Sequence, residues 1–475
     1  MQSVLQKAAL LPVLLFYFIK SLFLRLNLVP VQSRFVQVYD EKIRRFIIPV
    51  IGRLFSFGLK DNNSYDILLI QPLSDTDRIN LLPHSLLALA AWLVDAGYRV
   101  KILDCRIERH CEKNLLEIAG RGLVLVGITF YTGSQIRHAL KLARLLKSHH
   151  PSIPIVAGGP HASVTPEQTA AHPDIDFVVR GEGEKSLLAL ARALEAGKDV
   201  GSVPRLFYKK TGKVVSTQDS PAISLKYLPE IPYGLIAPYR MVYDAASLDT
   251  SRGCTHKCGY CVIPLVHPKP KMMPPATVVS RLKALLKFKK TVVYFMDDNF
   301  FMSMSRVARI LDLLEKEGLS FKWWAMARID DMGGLDDAFL ARLVEKGLTR
   351  LYLGAESGSE KVLALTGKNL KIDDIVNTNR KLARFPVYCE YTFMAGLPGE
   401  TKEDLQMTMD LIGQLRRENP RAVIWKINDY MPYPGTRLFE DAVHAGFDPP
   451  QSLEQWADLT YYRCKHKGRF FQELE

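Results

Sequence analysis

No apolar run in this chain reaches the roughly 20 uninterrupted residues that a membrane-spanning helix needs. The first candidate, Ala8 to Ile19, stops at Lys20 after twelve residues. Cysteine is scarce: seven in 475 residues, three of them within eight positions. That is not the spread of a disulfide framework, and it points to a reducing compartment. Neither an aromatic RNP motif nor a zinc-finger spacing is present, so the formal charge of +13 does not read as a nucleic-acid footprint. A G-x-G-x-x-G turn after the first strand is also missing, which argues against NAD or FAD.

What is present is a globular composition, 48% apolar and 24% charged, in a chain long enough for two or three domains. Residues 1–64 carry nine Lys/Arg against three Asp/Glu, a net of +6, in an otherwise apolar segment. Basic residues spread along apolar helices suit an anionic membrane surface. A helical pair packed on the protein itself is the competing reading. Neither the positive start nor the small-residue cleavage site of a signal peptide is clear. The expected location is therefore cytoplasmic, at the inner face of the cytoplasmic membrane.

From Tyr65 to about residue 200, strands alternate with helices. Strands are expected at 66–72, 99–103, 123–129, 153–157 and 177–179, with helices at 82–96, 111–119 and 135–147. This alternation predicts a parallel, Rossmann-like doubly wound sheet with ligands at the carboxyl ends of its strands. Residues 201–245 read as a linker holding one hairpin around Thr211-Gly212. A second strand–helix series, 246–450, has six candidate strands, at 246–248, 291–296, 323–328, 350–353, 387–393 and 423–428. Six strands fit a partial (β/α)6 barrel better than a closed eight-unit one. Residues 451–475, with Trp456, Tyr461 and Tyr462, form a tail without a derivable role.

The first strand of the second series leads into Ser251-Arg252-Gly253-Cys254-Thr255-His256-Lys257-Cys258-Gly259-Tyr260-Cys261. C-x3-C-x2-C suits three thiolates around three irons of a cubane, leaving a fourth iron open to a small molecule. Zinc is the alternative, but a closed structural site takes four protein ligands. The fourth would have to be His256, His267, Cys389 or Cys464.

This spacing, with an aromatic residue before the third cysteine, resembles the hallmark of the radical S-adenosylmethionine (SAM) superfamily. The resemblance implies that Cys254, Cys258 and Cys261 hold a 4Fe–4S cluster. The open iron then binds SAM, and one electron breaks the sulfonium bond to give a 5′-deoxyadenosyl radical. Downstream segments resemble that family's SAM-binding turns: Asp297-Asp298-Asn299-Phe300, Gly354-Ala355-Glu356-Ser357-Gly358 and Gly396-Leu397-Pro398-Gly399-Glu400-Thr401. By that resemblance Tyr260, Asp297, Asp298, Asn299, Glu356, Ser357, Gly396 and Glu400 are expected around SAM. Asp/Asn at a strand end also cap helices, and Glu400-Thr401 also suits a helix start. Arg328 either faces the pocket or pairs with a neighbouring acid.

The first series resembles the branch of that superfamily with an N-terminal cobalamin-binding domain, so that the resemblance covers about residues 65–450. It rests on Leu82-Pro83, Gly127-Ile128-Thr129-Phe130, Ala157-Gly158-Gly159-Pro160-His161 and Val179-Arg180-Gly181-Glu182-Gly183-Glu184. Thr129, Gly158, Gly159, His161, Gly181 and Glu182 are the implied cobalamin contacts, and Thr129, Thr132 and Ser134 can hydrogen-bond a nucleotide tail. The D-x-H-x-x-G element that ligates cobalt elsewhere is absent, which in this branch implies cobalamin without a protein histidine ligand, or a domain that has lost the cofactor.

The expected function is a cobalamin-dependent radical SAM methyltransferase acting on an unactivated carbon of a hydrophobic, lipid-like substrate. It would be served by a flavodoxin- or ferredoxin-type electron donor and use no nucleic acid. A cyclase, oxidase or rearrangement enzyme of the same branch is the nearest alternative. A non-catalytic cobalamin-binding, membrane-associated protein is the alternative of another class.

Overall fold

The computed structural model describes residues 64–74, 81–108, 110–289, 292–424 and 427–459. The membrane-surface expectation falls on residues 1–64 and so lies outside the described residues but for Ser64; residues 460–475 lie outside them too. No helix among the described residues is long and apolar enough to cross a membrane.

The first sheet holds β1 (Ile67–Gln71), β2 (Val100–Asp104), β3 (Leu125–Thr129), β4 (Ile155–Gly158), β5 (Phe177–Val179), β6 (Leu206–Lys210) and β7 (Lys213–Ser216). Its order is β2-β1-β3-β4-β5-β6-β7, parallel through β5. In β1 every residue is buried. Ile67 and Leu69 pack in one core with the helices His84–Asp95 and Glu184–Glu195, while Leu68 and Ile70 face Cys111–Ala119 and Ser134–His149 across the sheet. A strand covered by helices on both faces has to be apolar throughout. The strand order reverses between β1 and β3, which opens a crevice at their carboxyl ends.

The hairpin expected in the linker does form, but it belongs to the first sheet. β6 and β7 extend it antiparallel beyond β5. Thr211 (φ 49°) and Gly212 (φ 80°) make its two-residue turn, whose positive φ values match the strand twist. Phe207 is buried against Val178 on β5, and that contact holds the hairpin on the edge.

The second sheet begins at β8 (Ala246–Leu248). A short antiparallel ribbon, β9 (Ser251–Arg252) with β10 (Lys271–Met272), follows outside it. Then come β11 (Val293–Phe295), β12 (Trp323–Ala327), β13 (Leu348–Glu356), β14 (Tyr388–Ala395), β15 (Ala422–Val423) and β16 (Ile427–Asp429). The order is β15-β14-β13-β12-β11-β8, with β16 also on β14, and all pairings are parallel. It is an open, partial barrel. Strand alternation divides its faces. Val293, Phe295, Trp323, Ala325, Leu351 and Leu353 pack under the helices, whereas Tyr294, Trp324, Arg350, Tyr352 and Glu390 take the opposite face.

Part of the expected C-terminal tail is core. The helix Leu453–Asp458 packs on Ser134–His149, and buried Trp456 donates from Nε1 to Gln168 Oε1 at 2.8 Å.

Candidate active site

The ribbon β9–β10 pins both ends of the cysteine loop, so the sulfurs are presented from a closed turn. Gly253 starts it at φ 83°, and a Cβ there would come within 3.1 Å of His267 and Pro270. Cys261 N–H donates to Cys258 O at 3.1 Å, which brings the last two cysteines into one turn. Burial pushes the Cys261 thiol up to about 12, and the neighbouring Cys258 and Cys254 push the same way. Burial also raises Cys254. Arg328 Nη1 lies 3.9 Å from Cys258 Sγ. Among the described residues no three His, Cys, Asp or Glu side chains converge as ligands of a single ion. A cubane does not require that, because each thiolate takes a different iron. Two fourth-ligand candidates for zinc are engaged elsewhere: His267 Nδ1 lies 3.6 Å from Glu182, and Cys389 is buried within β14. Cys464 lies outside the described residues.

Beside the loop stands a charged cluster. Tyr260 Oη donates to Glu356 Oε1 at 2.9 Å, and Lys368 Nζ reaches that oxygen at 2.6 Å and Gly354 O at 2.6 Å. Glu356 sits at φ 65°, at an irregularity in the β13–β14 pairing. Arg328 is held by Asp330 and by Lys368 O at 2.7 Å, so it pairs with an acid and also faces the cysteines. Lys368 follows a helix and stands in no recognisable motif, so sequence reading missed it.

Several expected SAM contacts have other occupations. Asp297 is fully buried and accepts from Thr250 N–H, Thr250 Oγ1 and Ser251 Oγ at 2.5–2.7 Å. It braces the start of the cysteine loop. Asn299 donates to Asp331 Oδ2 at 2.8 Å and accepts from Phe301 N–H at 3.0 Å, so it shapes its own turn. Ser357 is buried against Thr408 Oγ1 at 3.2 Å. Glu400 Oε2 accepts from Gly396 N–H at 2.5 Å and Leu397 N–H at 3.3 Å, closing its loop, while its Oε1 is buried without a partner. Of the Asp297-Asp298-Asn299 motif, Asp298 lines the large cavity, where it accepts from Gly253 N–H at 2.9 Å.

That cavity, of about 530 Å³, lies at the carboxyl ends of β1, β3, β4 and β5. Thr129, Gly158, Gly159, Gly181 and Glu182 line one side; Asp249, Arg252, Met296 and Asp298 from the barrel line the other. Gly159 has φ 94°, and a Cβ there would meet Thr129 Oγ1 at 2.7 Å. The site thus needs a glycine at the turn that a ligand would approach. His161 is not in this wall. Its Nδ1 meets Thr132 Oγ1 at 3.0 Å, its Nε2 meets Thr165 Oγ1 at 3.2 Å, and its ring packs edge-on against Trp456. Burial lowers its pKa to about 3. It is a neutral core residue. Glu182 lines the cavity but is bound to Lys271 at 2.5 and 2.7 Å.

Comparison with known proteins now decides the family. Residues 80–191 match the B12 binding domain and residues 248–412 match the Radical SAM superfamily. The chain is a radical SAM enzyme with an N-terminal B12-binding domain. It is 29% identical over 365 residues to an uncharacterized methyltransferase of Pyrococcus horikoshii, covering 75% of this chain and 78% of that one. It is 28% identical over 330 residues to the anaerobic magnesium-protoporphyrin IX monomethyl ester cyclase of Rubrivivax gelatinosus, covering 67% of this chain but 58% of the cyclase. Among solved structures it resembles the radical SAM methyltransferase TsrM of Kitasatospora setae, determined with cobalamin and a 4Fe–4S cluster bound. The TM-score is 0.67 at 20% identity, over 79% of this chain and 74% of TsrM. The two matched domains are those for the three cofactors expected from the sequence: a 4Fe–4S cluster and SAM on the radical SAM domain, and cobalamin on the B12-binding domain.

Proposed function

We propose that this radical SAM enzyme is a cobalamin-dependent methyltransferase that acts on an unactivated carbon of a hydrophobic, lipid-like substrate. The observation that carries the reading is the shared cavity, whose walls come from the B12-binding strand ends and from the barrel mouth beside the cysteine loop. Three thiols in one pinned loop suit a cubane, and the cavity's glycine-lined turns suit a large planar ligand. When bound, the cluster with SAM supplies a carbon-centred radical, and the corrinoid supplies a methyl group.

The chain's own share is binding, orientation and exclusion of water. Cys254, Cys258 and Cys261 are the cluster ligands in this reading. In this reading Glu356, held by Tyr260 and Lys368 beside the cysteine loop, and Asp298, on the cavity wall, are the acidic partners for the ammonium group of SAM. Met296, Met326 and Tyr352 give the inner wall an apolar surface on which a hydrophobic substrate can lie. Hydrogen-atom abstraction requires no general base.

Anaerobic turnover with SAM deuterated in its methyl group tests the reading. A product heavier by one labelled methyl is expected. A product changed by loss of hydrogen alone would favour a cyclase-type reaction, the alternative that similarity to the magnesium-protoporphyrin cyclase supports. We also assign electron delivery to a flavodoxin- or ferredoxin-type donor, and residues 1–60 to contact with the inner face of the membrane. Deleting those residues should release the enzyme from membranes with its iron content intact; a truncated enzyme that stays bound would overturn that assignment.

A further inference from the structure

The ribbon that carries the cysteines is tied to the B12-binding domain by a buried chain of ion pairs. Lys271 Nζ on β10 donates to both oxygens of Glu182 and, at 2.9 Å, to Ile223 O. Ile223 N–H donates to Glu182 Oε2 at 3.1 Å, so three hydrogen bonds hold that carboxylate, and the cavity-lining His267 and Arg252 each lie 3.6 Å from its Oε1. Arg252 on β9, two residues before Cys254, places Nη1 2.6 Å from Glu184 Oε1 and Nε 2.8 Å from Asp249 Oδ2. Asp249 in turn lies 2.5 Å from Nε2 of His84, at the start of the first B12-domain helix. The Glu182 and Glu184 side chains are 3% and 5% exposed, and Arg252 is 13% exposed. At such burial, removing one partner leaves an uncompensated charge, and this is where an ion pair matters most.

Glu182, Glu184, Asp249 and Arg252 all line the shared cavity, whereas Lys271 does not. We propose that Lys271 and Arg252 are positioning residues of the corrinoid site: from the cluster loop they fix Glu182 and Glu184, and so complete the cavity wall. The inference rests on the cobalamin reading above. Its consequence is that corrinoid binding depends on a lysine outside both the B12-binding domain and the cavity.

The test is visible-absorbance titration of the full, anaerobically reconstituted chain with hydroxocobalamin, with iron content measured alongside. Wild type, K271M, E182Q and the double variant form a cycle. K271M is expected to keep its iron and to bind hydroxocobalamin about tenfold more weakly or worse. The double variant should be no weaker than the poorer single one, because both act through one contact. Lys271→Arg keeps the charge and should bind within about threefold of wild type. Equal affinity of K271M and wild type would overturn the inference, as would additive losses in the cycle. If K271M does not fold, a loss in E182Q that K271R does not share supports the clamp, and the same loss in both overturns it. A wild-type chain that retains iron but binds no hydroxocobalamin would overturn the cobalamin reading itself.

Discussion

A single carboxylate oxygen, Oε1 of Glu356, is shared by the phenol of Tyr260 at 2.9 Å and the ammonium of Lys368 at 2.6 Å. It joins the cysteine loop to the end of β13. Burial, with Glu356 alongside, pushes the Tyr260 phenol well above its ordinary range, so it stays protonated and donates. Two donors on one oxygen hold the carboxylate in place despite the positive φ of its backbone.

Tyr260→Phe should therefore leave iron content unchanged while lowering SAM cleavage roughly tenfold, the loss of about 1.5 kcal/mol from one charge-assisted hydrogen bond. Lys368→Met strands the buried carboxylate and should be worse, destabilising the fold by about 3–5 kcal/mol. Quantifying 5′-deoxyadenosine and urea unfolding checks both. Wild-type cleavage by Y260F would mean that the phenol does not orient Glu356.

Adjacent glycines in the cavity wall should respond differently. At Gly159 the positive φ and the 2.7 Å approach to Thr129 Oγ1 leave no room for a methyl group, whereas a Cβ at Gly158 meets nothing closer than 3.9 Å. Gly159→Ala should cost about 2 kcal/mol or more and weaken hydroxocobalamin binding; Gly158→Ala should cost less than about 1 kcal/mol. Thermal melts of the two variants side by side decide it. A G159A melt at the wild-type temperature would show that the turn relaxes freely.

Glu400 gives stability a pH dependence. Burial pushes its carboxyl up to about 7, against the pull of the Gly396 and Leu397 N–H groups. Because the folded value lies above the unfolded one, its contribution is complete below the ordinary glutamate range and is lost as pH rises through about 7. Asp297, raised to about 6 by burial, acts with the same sign. Without SAM, the enzyme should lose stability between pH 5 and pH 8, and Glu400→Gln should flatten that decline by at most about 3 kcal/mol. Melting temperatures across the range measure it; an E400Q curve parallel to wild type would exclude Glu400.

The architecture was largely legible because its signals are local. Ile67–Ile70 is an unbroken apolar run, Cys111–Ala119 an amphipathic turn set, and Gly97 a left-handed stop. The cysteine spacing was equally local. What the sequence hid was which way polar groups point once the chain closes. Asp297 and Asn299 sit in a recognisable motif, yet their oxygens are consumed by Thr250, Ser251 and Phe301. His161 follows a Gly-Gly-Pro turn at the cavity, yet Trp456, almost 300 residues later, covers its ring. Lys271 and Lys368 carry no motif at all. Their importance comes from carboxylates that only the folded chain brings to them.

Deep on the inner wall, Arg350 and Glu390 form an ion pair at 2.8 Å, with Arg350 at 1% exposure between the rings of Trp324 and Tyr388. So buried a pair gains little over an apolar replacement, because desolvation offsets the attraction, but either charge left alone is expensive. Arg350→Met should therefore destabilise the barrel by about 3–5 kcal/mol, while Arg350→Met with Glu390→Leu should recover most of the loss. The two rings add a cation–π share of about 1–2 kcal/mol that the double variant does not restore. Urea unfolding of the two single variants and the double gives the coupling directly. Additive losses would mean that the two charges are solvated independently, and that the inner wall beside Tyr352 is wetter than its packing implies. That would also weaken the case for a hydrophobic substrate.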